Sequence, residues 1–100
     1  MVDLSRIVGF DWDEGNTLKS AEKHSVSQAE AEQIFVDERL LVADDVKNSQ
    51  REPRYQALGR TIEGRLLHVT FTLRDSQTRI RVISARSASR KERGHYESKA

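Results

Sequence analysis

Apolar and polar positions along the chain predict a first strand, two helices, three or four further strands and a last helix, an order summarised as β-α-α-β-β-β-α. Arg6-Ile7-Val8-Gly9-Phe10-Asp11-Trp12 reads as a first strand. Asp13 can cap the segment that follows, with Glu14 in the favourable first turn. Residues 14–24 are mostly polar, with Leu18 and Ala21 three apart, which is a helix with a narrow apolar stripe. Gly15 weakens it by about 1 kcal/mol relative to Ala. Ser27-Gln28-Ala29-Glu30 is a capping-box pattern and opens a second helix. Its apolar Ala31, Ile34 and Phe35 have the spacing of one inward face, and Val26, before the cap, can staple onto it. Leu40-Leu41-Val42-Ala43 is a short strand ending at Asp44-Asp45, and residues 46–53 form a polar loop. Residues 54–61 alternate weakly, and Glu63-Gly64 is a two-residue hairpin signal. Residues 65–73 alternate well: Leu67, Val69, Phe71 and Leu73 share one face, Leu66, His68, Thr70 and Thr72 the other. After a turn at 74–77, residues 79–85 form a strand with something to bury on both sides, hence an interior one. Ser87 or Ser89 can cap a final helix over about 90–98, too short and polar to stand alone. It must dock on the sheet or on a partner.

The fold class predicted is α+β. One domain spans residues 1–100, with two helices on one face of an antiparallel sheet and a short C-terminal helix. The other sheet face, carrying His68, Thr70, Thr72 and some Arg, is expected to be an open polar binding platform. Composition adds a thin core: 36% of residues are hydrophobic, yet Leu, Val, Ile and Phe number 24, enough to fold.

The formal net charge of +1 hides an asymmetry. Residues 1–50 carry 5 basic and 11 acidic side chains; residues 51–100 carry 12 basic, ten of them Arg, and 5 acidic. Arg presents a planar donor fork suited to phosphate or carboxylate, so nucleic acid is one reading; pairing of the two halves within the fold is the other. There is no cysteine, which excludes a disulfide framework and thiolate metal sites. No apolar run approaches a membrane span, and the first residues lack the shape of a signal peptide. A cytoplasmic protein is the expectation.

Several segments, in order, resemble one family: Phe10-Asp11-Trp12-Asp13-Glu14, Lys23-His24-Ser25-Val26-Ser27, Phe35, Arg54-Tyr55 with Gly59, Gly64-Arg65-Leu66-Leu67, Arg81-Val82-Ile83-Ser84-Ala85-Arg86, Glu92-Arg93 and Tyr96-Glu97. The chain is similar over about residues 10–97 to the BrnT toxins of bacterial type II toxin–antitoxin pairs. The resemblance implies a RelE-like fold and a ribonuclease whose RNA cleavage inhibits translation and growth. It also implies a BrnA-type antitoxin, two copies of each chain in the complex, and operator DNA bound only through the antitoxin. The family usually has Gly where Ser25 stands; Asn16 and Ser20 also depart from its pattern.

Metal-free RNA cleavage needs a base for the 2′-OH, donors for the phosphate and an acid for the 5′-oxygen. Lys23 and His24 supply a phosphate contact and an acid/base, unless His24 only caps a helix end. His68 is catalytic only if its face is open; otherwise it, like His95, is a surface residue. Arg65 and Arg86, at family positions, are expected to converge on a phosphate, with ion pairing to the acidic half as the alternative. Arg81 is a weaker case. Tyr96 either donates a proton or stacks on a base, or pins the last helix. The catalytic set expected is Lys23, His24, Arg65, Arg86 and Tyr96, and the RNA-binding set Arg54, Arg60, Arg81, Arg90, Arg93 and Trp12. A lone Trp after a strand, as Trp12 is, is more often a core residue than an RNA-stacking one. Asp44 and Asp45, adjacent on a strand, point to opposite faces and cannot share an ion, so no metal or other cofactor is expected. The alternatives to a ribonuclease are a non-catalytic basic nucleic-acid-binding module and a module that only docks an antitoxin.

Overall fold

The best-alternating segment of the chain becomes the middle strand of the sheet. A computed structural model describes residues 4–12, 26–48 and 52–99. Within them the strands are β1 (Gly9–Phe10), β2 (Leu41–Asp44), β3 (Tyr55–Arg60), β4 (Leu66–Arg74) and β5 (Arg79–Ser87). Their order across the sheet is β1-β5-β4-β3-β2. Three of the four pairings are antiparallel, as expected, but β1 runs parallel to β5. The first strand is also shorter than its apolar run: of residues 6–12 only Gly9–Phe10 form the strand, and Arg6 belongs to a 3-10 turn at Leu4–Arg6. The first predicted helix, with Lys23, His24, Ser25, Asn16 and Ser20, lies outside the described residues.

Helix α1 (Gln28–Gln33) begins at the predicted capping box: the Glu30 N–H donates to Ser27 Oγ and the Ser27 N–H to Glu30 Oε1, both at 3.1 Å. Val26 and Ala31 are fully buried in one cluster, which fits a staple between the residue before the cap and the fourth helical residue. The chain then tightens into a 3-10 turn at Ile34–Val36, which crosses β3 where Gly59 stands. A Cβ at Gly59 would lie 2.7 Å from Ile34 Cβ and 3.0 Å from Ile34 O, so only glycine permits this approach.

This side of the sheet holds the main core: Ile34, Ala57, Leu67, Val69, Phe71, Ile80, Val82 and Ala85 are all buried there. Phe10, Phe35, Phe71 and Tyr55 form a chain of ring contacts 5.2–5.6 Å apart. The hairpin after β3 has three residues rather than two: Thr61 donates to Arg65 O, enclosing Ile62, Glu63 and Gly64 with Gly64 at φ 92°, a left-handed position suited to glycine.

The second face is not an open polar platform. Helix α2 (Arg90–Ser98), capped by Ser89 and Glu92, docks across part of it through Tyr96, which is 4% exposed and packs on Leu58 and Leu66. β5 contains one extra residue opposite β4: Thr70 pairs with Ser84 and Phe71 with Val82, leaving Ile83 as a bulge. The bulge changes which later residues face the main core, so Ala85 follows Ile80 and Val82 inward and Arg86 turns to the second face.

Candidate functional site

Strand parity and α2 bring together one group of charged and polar side chains. On the second face β4 contributes His68, β3 contributes Gln56 and Arg60, and β5 contributes Arg86, which pairs in register with His68. The first turn of α2 adds Lys91 and Glu92. Arg86 Nη1 and Nη2 donate to the two Glu92 oxygens, each at 2.8 Å. These bonds from Arg86 hold the Glu92 carboxyl down at about 2, helped by the Ser89 N–H and opposed by burial. The same pairing raises Arg86 above its ordinary value. The arrangement is the bidentate fork that Arg offers a carboxylate, and here Glu92 fills it.

His68 sits beneath this pair and is 8% exposed. Its Nε2 lies 3.4 Å from Gln56 Oε1 and 3.8 Å from Glu92 Oε2, while its buried Nδ1 has no hydrogen-bond partner among the described residues. Burial pushes its proton affinity down; Glu92 opposes this and Arg86 adds to it. The ring is therefore neutral near pH 7.

Beside the cluster runs an open groove of about 540 Å³, lined by Leu41, Ala43, Gln56, Leu58, His68, Lys91, Glu92 and His95, with Val42 and Ala57 contributing. It is the part of the second face that the short α2 leaves uncovered. A smaller groove of about 400 Å³ flanks the other side of Tyr96. There the Tyr96 hydroxyl donates to Asp37 Oδ2 at 2.6 Å, and the Arg60 N–H donates to the same oxygen at 2.8 Å. The Arg60 guanidinium lies 5.4 Å from the centre of the Tyr96 ring. Burial and the Asp37 carboxylate both raise the phenol's proton affinity. Burial pushes Asp37 up, but the bonds from Tyr96 and the backbone outweigh it, and the carboxyl ends below its ordinary range.

The expected site residues separate into groups. Arg60, Arg86, Tyr96 and, by strand parity, Arg81 belong to the second face, and Arg90 and Arg93 are exposed on α2. Arg65 does not converge with Arg86: it precedes Leu66 by one residue and points to the first face. There it donates to Glu30 Oε2 at 3.0 Å and Ser87 Oγ at 2.9 Å, the ion-pair alternative. Trp12 donates to Glu32 Oε2 at 2.7 Å and is partly buried against the main core. Arg81 lies 3.5 Å from Asp11. Arg54 precedes β3 and accepts the Asp45 N–H at its carbonyl. Lys23 and His24 are outside the described residues. Asp45, just past the end of β2, is buried and Asp44 exposed. No group of three or more His, Cys, Asp or Glu side chains that could hold a metal ion occurs among the described residues. From sequence, His68 is catalytic only on an open face, and its burial depends on where α2 docks; Glu92 enters only as part of a family segment, and its capping spacing from Ser89 is the available signal.

Comparisons with known proteins bear on this arrangement. A family model described as a ribonuclease toxin, BrnT, of type II toxin–antitoxin system matches residues 12–92. Among solved structures, the chain is similar to the ribonuclease toxin BrnT of Brucella abortus. The TM-score is 0.62 at 24% identity, over 83% of this chain and 99% of that one. No curated protein matches.

Proposed function

This chain belongs to the BrnT family of ribonuclease toxins of type II toxin–antitoxin systems, and from that premise we propose a metal-independent endoribonuclease whose phosphate contact is Arg86. The observation that carries the activity is the family match over residues 12–92. The Arg86 assignment is supported by a fork already engaged by a planar oxyanion, with the Arg86 side chain still 39% exposed. The ribose 2′-oxygen attacks the adjacent phosphorus and its proton passes to a base. The bond from phosphorus to the 5′-oxygen breaks, and that oxygen takes a proton from an acid. His24 is the proposed acid/base and Lys23 the second phosphate contact. Arg65 and Tyr96 keep the fold in order and do not touch the reacting atoms.

A toxin of this kind has an antitoxin partner. The proposed one is of BrnA type, binding as two toxin and two antitoxin chains, with operator DNA contacted through the antitoxin. Cleavage of cytoplasmic RNA then accounts for inhibited translation and growth arrest. No described helix is long and apolar enough to cross a membrane.

The test is purified chain with end-labelled RNA in EDTA. Products ending in 2′,3′-cyclic phosphate and 5′-hydroxyl are expected, with a loss of at least 100-fold for His24→Ala and for Arg86→Ala. RNA left intact in EDTA and cleaved once magnesium is restored overturns metal independence. Intact RNA under both conditions overturns the enzyme.

A further inference from the structure

Resting on the reading of the chain as a ribonuclease, we propose that the groove between α2 and the uncovered half of the second sheet face is a subsite for one nucleotide of the RNA substrate. Gln56 and His68 face the base, and Lys91 and His95 face the backbone phosphate.

Four observations meet there. The cavity, about 540 Å³, falls in the range of small-ligand sites. Its floor and one wall are apolar, from Leu41, Ala43 and Leu58, a surface on which a base can lie. Polar reach into it is adaptable. Gln56 is exposed and offers both donors and an acceptor. Its contact with His68, at 3.4 Å, is near the limit of a hydrogen bond. His68, neutral and lining the groove, presents Nε2, whose polar contacts among the described residues are this one and Glu92 at 3.8 Å. Both groups can exchange a loose contact for a tighter one with the Watson–Crick edge of an unstacked base.

The remaining observation is the rim, where the cation Lys91 and the ring of His95 stand together. Lys91 and His95 are four residues apart on α2, hence on one side of the helix, and both are exposed. The one carboxylate lining the groove, Glu92, is neutralised by Arg86 at 2.8 Å. The groove therefore favours an anion along its α2 edge and an uncharged planar group on its sheet side, which is the charge pattern of a nucleotide.

The test uses 2′-O-methyl RNA octamers of each base, which cannot be cleaved, so binding is read apart from catalysis. Gln56, Lys91 and His95 are exposed, and their variants are expected to fold. Lys91→Ala with His95→Ala is expected to weaken binding of every octamer by roughly 3- to 10-fold and to flatten its salt dependence. Gln56→Leu is expected to change the rank order of the four octamers and leave the salt dependence alone. In cleavage, Gln56→Leu should shift preferred sites and raise KM with kcat nearly unchanged. If wild type binds and cleaves RNA while all these variants match it within twofold, the subsite is overturned and the ribonuclease reading stands. If wild type neither binds nor cleaves RNA, both fall. Unchanged RNA binding with lost antitoxin binding gives the groove to the antitoxin and overturns the proposal.

Discussion

Tyr96→Phe and Tyr96→Ala separate an anchoring phenol from a reacting one. Tyr96 is the buried residue of α2, and a nine-residue polar helix has little stability of its own. Removing the hydroxyl takes one donor from Asp37, which keeps the Arg60 N–H at 2.8 Å. A hydrogen bond to a charged group contributes about 1.5–3 kcal/mol, and the two remaining donors, the Arg60 N–H and the Arg39 N–H at 3.0 Å, reduce the loss to about 1–2 kcal/mol. In a chain of 100 residues this lowers Tm by roughly 4–16 °C. Removing the ring forfeits its packing on Leu58 and Leu66, a change that costs about 3–5 kcal/mol when an aromatic residue is deep in a core. Here the loss is capped by the free energy that docks α2, because the helix can detach while the sheet stays folded. Thermal and urea melts measure the first variant. Hydrogen exchange across residues 90–98 measures the second, whose α2 amides should lose their protection while those of β4 keep theirs. RNA cleavage should survive Tyr96→Phe within a few-fold and drop sharply in Tyr96→Ala, which loses the groove wall carrying Lys91, Glu92 and His95. A loss of cleavage above 100-fold in Tyr96→Phe, with an unchanged melt, refutes the anchoring argument and makes the phenol a proton donor.

Three further outcomes follow from the geometry. Gly59→Ala forces a Cβ to within 2.7 Å of Ile34 Cβ and should cost about 1–3 kcal/mol as overpacking, read as a lower urea midpoint with an unchanged m-value. Arg86→Ala leaves Glu92 half-buried without its partner and should lose both stability and toxicity. Adding Glu92→Gln should restore the stability alone, and a double variant that regains toxicity removes Arg86 from the phosphate site. Stability should fall as pH drops from 7 towards 5. Burial disfavours protonated His68 in the folded chain, so below its ordinary value of 6.5 the unfolded state takes up a proton the folded state declines. Glu92 adds a second loss between 4.5 and about 2, where its folded carboxylate must finally be protonated. Melts of His68→Gln should lack the upper limb; an unaltered limb would show that another group titrates there.

Local signals carried most of the fold. The capping box at Ser27 and Glu30, the alternation over β4 and the span of α2 all depend on neighbours within one element, and all appear as expected. The parallel pairing of β1 with β5 involves residues about 70 apart in sequence, Gly9 with Arg79 and Phe10 with Ile80, and no local pattern encodes it. The bulge at Ile83 had the largest effect on the site. In a regular β5, Arg86 would share the face of Ile80 and Val82, the face to which Arg65 points, and the two guanidinium groups would lie on one side as expected. One extra residue turns Arg86 to the opposite face, beside His68 and under Glu92. Apolar alternation could not reveal it, because Ile80, Val82, Ile83 and Ala85 suit a regular strand as well as a bulged one.

The charge asymmetry resolves into something more directional than either reading of it. The described ion pairs join the two halves at Arg65–Glu30 and Arg81–Asp11. Others stay within the basic half, at Arg86–Glu92, Arg79–Asp75 and Arg74–Glu52. The arginines of the sheet thus largely meet carboxylates. Arg90, Lys91, Arg93 and Lys99, by contrast, remain exposed on or next to α2. Positive charge is concentrated on a helix whose buried anchor is Tyr96, and one of these cations, Lys91, lines the groove. Those cations repel one another and oppose docking, so an anion bound there should tighten α2 as well as be held by it. The helix that looked too polar to be stable alone is, on this argument, made complete by what it binds.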